Sequence, residues 1–256
     1  MHQGVCGIVV AWSGCIIEFY DVVSVAKRSH AVAEIAETGT YWTRSTVKDR
    51  KMDQKPDTRS RILDIAEASV LEKGFEATSI EEIVAGAKIS RGGFFYHFKD
   101  KNALARAMLE RYIDVENALY DDLFARAREL NDDPLHCMLI GLKLLAEMLE
   151  EMPTGHPGCV IASTAYQDRL FDEGVRDLNR QAILGWRKRF RGMFEEIAAK
   201  YEPREPVNMD ALGDMVSGVV EGGLVLQRAL REHNNASEQI MLFRTYLKLL
   251  FAPRSS

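Results

Sequence analysis

Hydrophobic residues recur at helical spacing from residue 58 onward. The first such stretch begins near Thr58 and places these residues on one helical face: Ile62, Leu63, Ile65, Ala66 and Val70. Gly74 then suits a C-terminal cap in the left-handed region, and Phe75 is expected to anchor the following turn in the core. The pattern predicts a first amphipathic helix that ends near residue 74.

Two shorter helices are predicted to follow. Ser79, with Glu82 three residues later, forms a capping box that starts the second helix. A turn over residues 86–89 separates it from a third helix, for which Ser90 is a good N-cap. Three short helices joined by tight turns have the layout of a helix-turn-helix DNA-binding unit.

The third helix has small residues at its front and aromatic residues at its rear. Gly92 and Gly93 lie in its first turn, and each disfavours a helix by about 1 kcal/mol relative to Ala. Close approach to another surface, such as the wall of a DNA major groove, would explain them. The three phenylalanines are expected to face the core, which leaves Tyr96 and His97 for the outer face: Phe94, Phe95 and Phe98.

Residues 100–251 keep a helical period, and no alternating strand pattern of useful length interrupts it. Pro134 is expected at the first position of a helix capped by Asp133. The predicted helices run from Asp100 to about Glu129, from Pro134, from Cys159 to Phe171, from about Glu173 to Tyr201, from Met209 to Glu232 and from Ser237 to Phe251. The fold class is therefore predicted to be all-α.

Composition limits the function classes. A net charge of −5 over 256 residues excludes a polybasic nucleic-acid binder, so any DNA contact must come from a local patch. No apolar run reaches the roughly 18 residues of a membrane span. The four cysteines include no CxxC pair and no zinc spacing, so we expect no metal, no cofactor and a reducing cytoplasm. Neither a GxSxG elbow nor a phosphate-binding glycine loop after a strand is present, and an enzyme is not expected.

The first 51 residues differ from the rest. They lack the basic start of a secretory signal and show no sustained period after residue 24. We predict that residues 1–51 are a non-native or disordered extension and that Met52 is the natural start. The alternative is an N-terminal arm that touches DNA through its basic residues: Lys27, Arg28, Arg44, Lys48, Arg50 and Lys51.

Residues 52–103 form the predicted DNA-binding domain, and residues 104–256 form an effector-binding and dimerisation domain. The first of these carries eight Lys and Arg against nine Asp and Glu, a net charge of −1. Its basic residues nevertheless cluster around the third helix, at Lys88, Arg91, Lys99 and Lys101. Binding that depends on this local asymmetry should be strongly salt-sensitive.

A set of residues between positions 79 and 104 forms one pattern: Ser79-Ile80-x-x-Ile83, Ala87, Ile89-Ser90-x-Gly92 and Phe95-Tyr96-His97-Phe98-x-x-Lys101-x-x-Leu104. This pattern closely resembles the tetracycline-repressor (TetR) family of bacterial regulators. One departure is Lys88, where that family most often has Gly. A lysine can adopt the left-handed backbone at a cost of about 1 kcal/mol.

The resemblance implies a homodimer whose third helices enter successive major grooves of a palindromic operator in double-stranded DNA. Thr78 and Ser79 would bind phosphate ahead of the second helix, and Tyr96, His97 and Lys101 would bind it behind the third. Arg91 and Gly93 occupy positions of base contact, and Arg91 is the main candidate for pairing with guanine. The implied DNA-binding set is Thr78, Ser79, Lys88, Ser90, Arg91, Gly92, Gly93, Tyr96, His97 and Lys101.

The last two helices fit the four-helix dimer interface of that family. The final helix is apolar on more than one face, so more than one face must be buried against other helices. Glycines at 213, 218, 222 and 223 would let a neighbouring helix approach closely. The alternative is that both are core helices of a monomer.

Large apolar side chains of the predicted helical body indicate a pocket for a small, largely apolar effector, although any one of them could simply fill the core. The candidate pocket residues are Met148, Met152, Cys159, Tyr166, Trp186, Phe190, Met215 and Gln227. Cys159 lies at a predicted helix N-terminus, where the helix dipole lowers a thiol pKa, so an electrophile or redox sensor is a further hypothesis. The alternative is a small buried cysteine, which is the commoner case.

The sequence therefore predicts a cytoplasmic, ligand-responsive repressor. The competing hypothesis is a helical small-molecule-binding protein or enzyme with an inactive DNA-binding unit. A third possibility is constitutive DNA binding without an effector.

Overall fold

The computed structural model describes residues 57–152 and 155–252, and every regular element in these two ranges is helical. The predicted all-α class is confirmed, while the hypotheses about residues 1–51 fall outside the described ranges. The helices are α1 (Thr58–Ala77), α2 (Ile80–Ala87), α3 (Arg91–His97), α4 (Lys101–Leu130), α5 (Pro134–Glu150), α6 (Val160–Tyr166), α7 (Glu173–Lys200), α8 (Met209–Leu230) and α9 (Asn235–Leu250), with a 3₁₀ turn at Asp168–Leu170.

Helices α1 to α3 form a small unit, which we call the head. Its centre is apolar: Ile62 of α1, Ile83 of α2 and Phe94 of α3 are fully buried in one cluster. Burial of such side chains contributes about 1.5–3 kcal/mol each. This shared core fixes the orientation of α3, the shortest of the three helices.

Helix α1 is broken at Gly74, which has φ 85° and ψ 164°. The positive φ agrees with the prediction for this glycine, but the ψ angle is extended rather than left-handed helical. Phe75 is buried as expected. A side chain at residue 74 would be strained, because L-residues rarely adopt a positive φ.

Caps confirm the predicted starts of α2 and α4. The Ser79 hydroxyl accepts a hydrogen bond from the Glu82 backbone N–H (3.1 Å), and the Asp100 carboxylate accepts one from the Ala103 N–H (2.7 Å). The capping box at α2 is only half formed, because the Glu82 carboxylate pairs with Lys73 of α1 instead of turning back to residue 79. That pair ties α1 to α2.

Helix α4 belongs to both halves of the molecule. It has 30 residues, a length of about 45 Å at the usual rise of 1.5 Å per residue. Near its start, Arg111 forms ion pairs with Asp64 and Glu67 of α1. Farther along it packs against α5 and α7. Helix α4 therefore contacts both α1 and the helices that follow it.

Helices α4 to α9 form the body, in which α8 packs closely on α7 and α9. A methyl group at Gly223 would lie 2.6 Å from the Cα of Ala236 in α9, and one at Gly213 would lie 3.0 Å from the Arg187 carbonyl oxygen in α7. These two glycines permit the close helix approach that the sequence indicated. None of the helices in the described ranges has an apolar stretch long enough to cross a membrane.

Helix α6 is shorter than predicted. It ends at Tyr166 instead of continuing to Phe171, and a 3₁₀ turn follows. Gln167, directly after the helix, accepts a hydrogen bond from the Phe75 backbone N–H in the head (2.9 Å). The helix therefore stops at the residue that connects the body to the head. The local sequence pattern does not show this contact.

Candidate nucleic-acid interface and effector cavity

The turn between α2 and α3 is closed by Lys88 in the left-handed conformation (φ 53°, ψ 48°). The Lys88 N–H donates to the Ala85 carbonyl and the Ile89 N–H donates to the Val84 carbonyl, which is the hydrogen-bond pattern of a Schellman motif. The left-handed lysine expected from the sequence is confirmed. Its side chain is exposed beside α3.

The inner face of α3 holds the helix on the head. Phe94 and Phe98 are buried, as predicted, but Phe95 is 42% exposed. The prediction that Phe95 faces the core was wrong. Phe94 already fills the core at this level, and successive helix positions point about 100° apart, so the next side chain turns toward solvent.

The outer face of α3 presents polar and aromatic groups to solvent. The Arg91 side chain is 70% exposed and Tyr96 is 85% exposed. The Arg91 guanidinium lies above the Phe95 ring, 5.7 Å from its centroid. Phe95 therefore supports the arginine that the sequence singled out for base contact.

The two glycines of α3 are not required by the packing of the described residues. A methyl group at Gly92 would meet only the Ser90 hydroxyl at 3.8 Å, and one at Gly93 would make ordinary contacts with Ile89 and Ser90 at 3.5 Å. Each glycine costs about 1 kcal/mol relative to Ala in a helix. The packing of the described residues therefore gives no reason for this cost.

The candidate phosphate contacts are placed unequally. Ser79 is exposed at the start of α2, while His97 is half-buried against Tyr96. Ser90 is exposed and caps α3 by accepting from the Gly93 N–H. Lys101 is half-buried, because its ammonium donates to the Phe75 carbonyl (2.7 Å) and lies over the Phe75 ring. Its first role is to hold α4 on the head.

Thr78 is buried, with 1% of its surface exposed. Its hydroxyl donates to the Gly74 carbonyl (2.9 Å) and contacts the Ser69 hydroxyl (3.0 Å), and its backbone N–H donates to the Phe75 carbonyl. The geometry counts against the expected phosphate contact of Thr78. The break in α1 at Gly74 lets this side chain turn back onto residues of the same helix.

A cavity with a volume of about 140 Å³ and an open mouth lies in the body. The lining comes from α4 to α8 and the loop before α6: Tyr112, Glu116, Leu119, Tyr120, Leu145, Met148, Leu149, His156, Cys159, Ile161, Ala162, Ala165, Ile183, Trp186, Ser217, Val220, Glu221 and Leu224.

Of the eight predicted pocket residues, Met148, Cys159 and Trp186 line this cavity. Tyr166 and Met215 do not, because both lie on the surface. The others are buried without lining it: Met152, Phe190 and Gln227. Phe190, for instance, packs edge-on against Tyr120 and Phe124 in the core. Helical spacing alone does not separate a core position from a cavity wall.

The sequence interpretation missed the polar part of the cavity. Tyr112, Glu116 and Tyr120 follow one another at intervals of four along α4, and all three are buried. Tyr112 and Glu116 lie close enough to Cys159 to shift its pKa, and so does Glu221 of α8. A glutamate within an otherwise apolar stripe was the sequence signal that could have revealed this polar cluster.

Burial controls the protonation of these groups. It raises the pKa of Glu116 to about 7, with the charges of Glu67 and Glu221 acting in the same direction. It also raises the pKa of Glu221 and lowers that of His156 to about 4. Desolvation disfavours the charged form of each group. At neutral pH the cavity therefore holds a neutral imidazole and a carboxyl group poised between its two forms.

Cys159 does cap α6, since its sulfur accepts from the Ala162 N–H (3.4 Å). Its thiol is nevertheless not activated: burial and the charge of Glu221 raise its pKa to about 12. Desolvation outweighs the helix dipole here, so the raised pKa favours the alternative of a small buried cysteine. The thiolate is the reactive form, so this geometry does not support an electrophile sensor.

A second apolar feature lies on the outside of α8 and α9. Leu242 and Leu249 of α9 are 62% and 61% exposed. Methyl groups at Gly218 and Gly222 would meet nothing within 4 Å. The exposed apolar side chains on these two helices are Met215, Val225, Leu226, Leu230, Leu242, Tyr246 and Leu249. We call this set the α8–α9 face.

These elements define a class of protein: a helix-turn-helix head joined through one long helix to a helical body that contains a cavity. The model of the family "Bacterial regulatory proteins, tetR family" matches residues 62–108. The transcriptional repressor KstR2 of Mycobacterium tuberculosis is 32% identical over 145 residues, which are 54% of this chain and 67% of that protein. The chain belongs to the TetR family.

Other relatives match over shorter stretches. The regulator TtgR of Pseudomonas putida is 31% identical over 105 residues, so the chain spans 46% of that protein's length and the alignment covers 40% of this chain. The crystal structure of reduced NemR from E. coli superimposes with a TM-score of 0.60 at 17% identity, covering 78% of this chain and all of that one. That likeness concerns the fold.

Proposed function

We propose that this protein is a homodimeric transcriptional repressor that binds a palindromic operator in the cytoplasm and releases it when a small molecule enters the body cavity. The observation that carries the DNA-binding part is the start of α3, where two glycines without an internal packing role adjoin exposed Arg91. Relatives named as transcriptional repressors support the same function. No catalytic step is part of the proposal.

In the proposed complex, α3 enters the major groove. Arg91 pairs with guanine, and the glycines bring the helix backbone close to the base edges. Ser79, at the N-terminus of α2, contacts a phosphate of the DNA backbone, as do Lys88, Tyr96 and His97. Thr78 is left out because its polar groups are engaged inside the head.

Dimerisation is assigned to the α8–α9 face. An exposed apolar surface of this kind on a folded chain marks an interaction site. The open glycines of α8 leave room for a helix of a second copy, and a two-fold pairing would present two heads to one side of the duplex. The half-sites would then lie about 34 Å apart, or a multiple of that.

Three connections would transmit a structural change from the cavity to the head and so release the operator. Helix α4 lines the cavity at Glu116 and holds α1 through Arg111. Arg228 of α8 donates to the Leu71 and Glu72 carbonyls at the end of α1 (2.8 and 3.1 Å). Gln167 forms the third connection. A ligand that shifts α4 and α8 would change the spacing of the two α3 helices.

Gel shift with the DNA upstream of the chain's own gene tests the proposal. Salt-sensitive, competable binding by a dimer is expected, and effectors that lower it should also raise the melting temperature. Failure to bind that DNA or any other duplex at low salt would favour the alternative of a small-molecule-binding protein with an inactive head. Binding that no ligand relieves, in a thermal-shift screen followed by gel shift, would indicate constitutive DNA binding.

A further inference from the structure

The charges around the cavity all have one sign. Two carboxyl side chains, Glu116 and Glu221, line it from α4 and α8, and none of the described lining residues is a lysine or an arginine. The remaining titratable groups there are Tyr112, Tyr120, His156 and Cys159, none of which is a cation at neutral pH. The lining therefore offers a ligand negative charge and no positive charge to balance it.

The same cavity is lined by aromatic side chains. Tyr112 and Tyr120 of α4 and Trp186 of α7 all line it and are all buried. The face of an aromatic ring attracts a cation, and the attraction is stronger where water is excluded. Aliphatic side chains such as Leu145 and Leu149 supply the rest of the wall.

Building on the proposed function, we infer that the effector is a lipophilic organic cation, a protonated amine or a quaternary ammonium on an apolar body. The body lies against the aromatic and aliphatic wall. The positive charge lies between Glu116 and Glu221, where it supplies the counter-charge that the described lining lacks. An organic anion of the same size would place its charge against two carboxyl groups and should bind more weakly.

The protonation of Glu116 should make cation binding depend on pH. Its pKa of about 7 reflects burial, with Glu67 and Glu221 raising it further and the Tyr112 hydroxyl lowering it. Arg111 compensates Glu67 rather than Glu116. A cation favours the ionised carboxylate, so binding releases a proton when the pH is below about 7. Affinity for a permanent cation therefore rises with pH through neutrality and then levels off.

Three size-matched probes test the inference on the full chain: naphthylmethyl-trimethylammonium, naphthalenemethanol and naphthoate. They share one aromatic body and carry a positive charge, no charge and a negative charge. Binding is measured by titration calorimetry and by quenching of tryptophan fluorescence. The cation is expected to bind at least about tenfold more tightly than the alcohol, with the carboxylate weakest. If the cation does not exceed both others, including the case in which none binds, the inference is overturned.

Two variants locate the charge, and a third is their control. Glu116→Gln and Glu221→Gln should each lower affinity for the cation about tenfold or more and leave that for the alcohol nearly unchanged. Glu129→Gln removes the same charge from an exposed position on α4 and should change neither. Glu116→Gln should also abolish most of the rise of affinity with pH. Unchanged cation binding in both cavity variants would overturn the assignment.

The outcome is separable from that of the proposed function. Operator binding without any probe depends on the head and the dimer, whereas probe binding depends on the cavity alone. Cation binding without operator binding would refute the repressor and keep the cavity chemistry. Operator binding with a preference for the anionic or neutral probe would keep the repressor and refute the cation.

Discussion

The Arg91 guanidinium lies 3.1 Å from the carboxylate of Glu81, across the turn that joins α2 to α3. Both side chains are largely exposed, so the pair contributes about 0–1 kcal/mol to folding. The pair matters more for DNA binding than for folding. The arginine proposed to contact a base is held by an acidic partner and must leave it to reach the DNA. The pair makes two opposite predictions for operator binding.

Removal of the arginine should reduce discrimination between bases. Arg91→Ala is expected to lose about 1–3 kcal/mol of preference for the operator over a version with the contacted guanine replaced. Fluorescence anisotropy with both duplexes measures this, and sedimentation should still show a dimer. Arg180→Ala, at an exposed position of α7, is the control. Unchanged selectivity in Arg91→Ala would refute the base contact.

Removal of the acidic partner should have the opposite effect. Glu81→Gln frees Arg91 and removes a negative charge near the phosphates, so operator affinity should rise about threefold to tenfold at low salt. Glu72→Gln lowers the negative charge of the head equally, at the end of α1 that contacts α8. Equal gains in the two variants would show that net charge alone matters and that the Arg91–Glu81 pair does not.

Lys88 combines a backbone cost with a charge next to α3. Lys88→Gly should raise the free energy of unfolding by about 1 kcal/mol relative to Lys88→Ala, because only glycine adopts φ 53° without strain. Both variants lose the same charge. If Lys88 binds phosphate, both should lower the salt dependence of operator binding by about one counterion. Urea unfolding and anisotropy at several salt concentrations measure the two effects separately.

Glu116 should make the folded protein less stable at higher pH. Its folded pKa of about 7 lies above the ordinary value of 4.5, so its contribution is fully present at acid pH and is lost as the pH rises through 7. The free energy of unfolding of Glu116→Gln, measured against the unmodified chain, should therefore rise by up to about 3 kcal/mol between about pH 5 and pH 8. A difference independent of pH would contradict the raised pKa.

The α8–α9 face can be tested by introducing charge. The double variant Leu242→Glu and Leu249→Glu places two carboxylates in the proposed interface, where burial without partners is unfavourable. Sedimentation should show a monomer, and operator affinity should fall about a hundredfold or more, since two heads no longer bind together. Leu130→Glu, at the exposed end of α4, should remain dimeric. A dimeric double variant would place the interface elsewhere.

The fold class and the position of the DNA-binding unit could be predicted from the sequence because their signals are local. Caps such as Ser79, Ser90 and Asp100 act within three residues, and helical spacing identifies a buried face without knowledge of its partner. The left-handed conformation of Lys88 could be predicted because the TetR family most often has glycine at this position of the turn. These predictions concern neighbours in sequence.

The differences from the sequence predictions concern which side chains are buried. Thr78 was assigned to DNA but is buried beside Ser69, and Tyr166 was assigned to the cavity but is exposed. A helix dipole favours ionisation of Cys159, yet Glu221, from a helix far along the chain, helps raise its pKa. Helical spacing alone does not specify these surroundings.

By itself, the sequence determined nine helices within the described ranges, their approximate ends and a glycine-fronted third helix, because helix formation and capping depend on residues a few positions apart. Only the tertiary structure brought Glu116 of α4, Trp186 of α7 and Glu221 of α8 to one cavity and gave it an acidic, aromatic lining. The chemistry of a buried site depends on which helix faces meet and on how much water they exclude, and local periodicity contains neither.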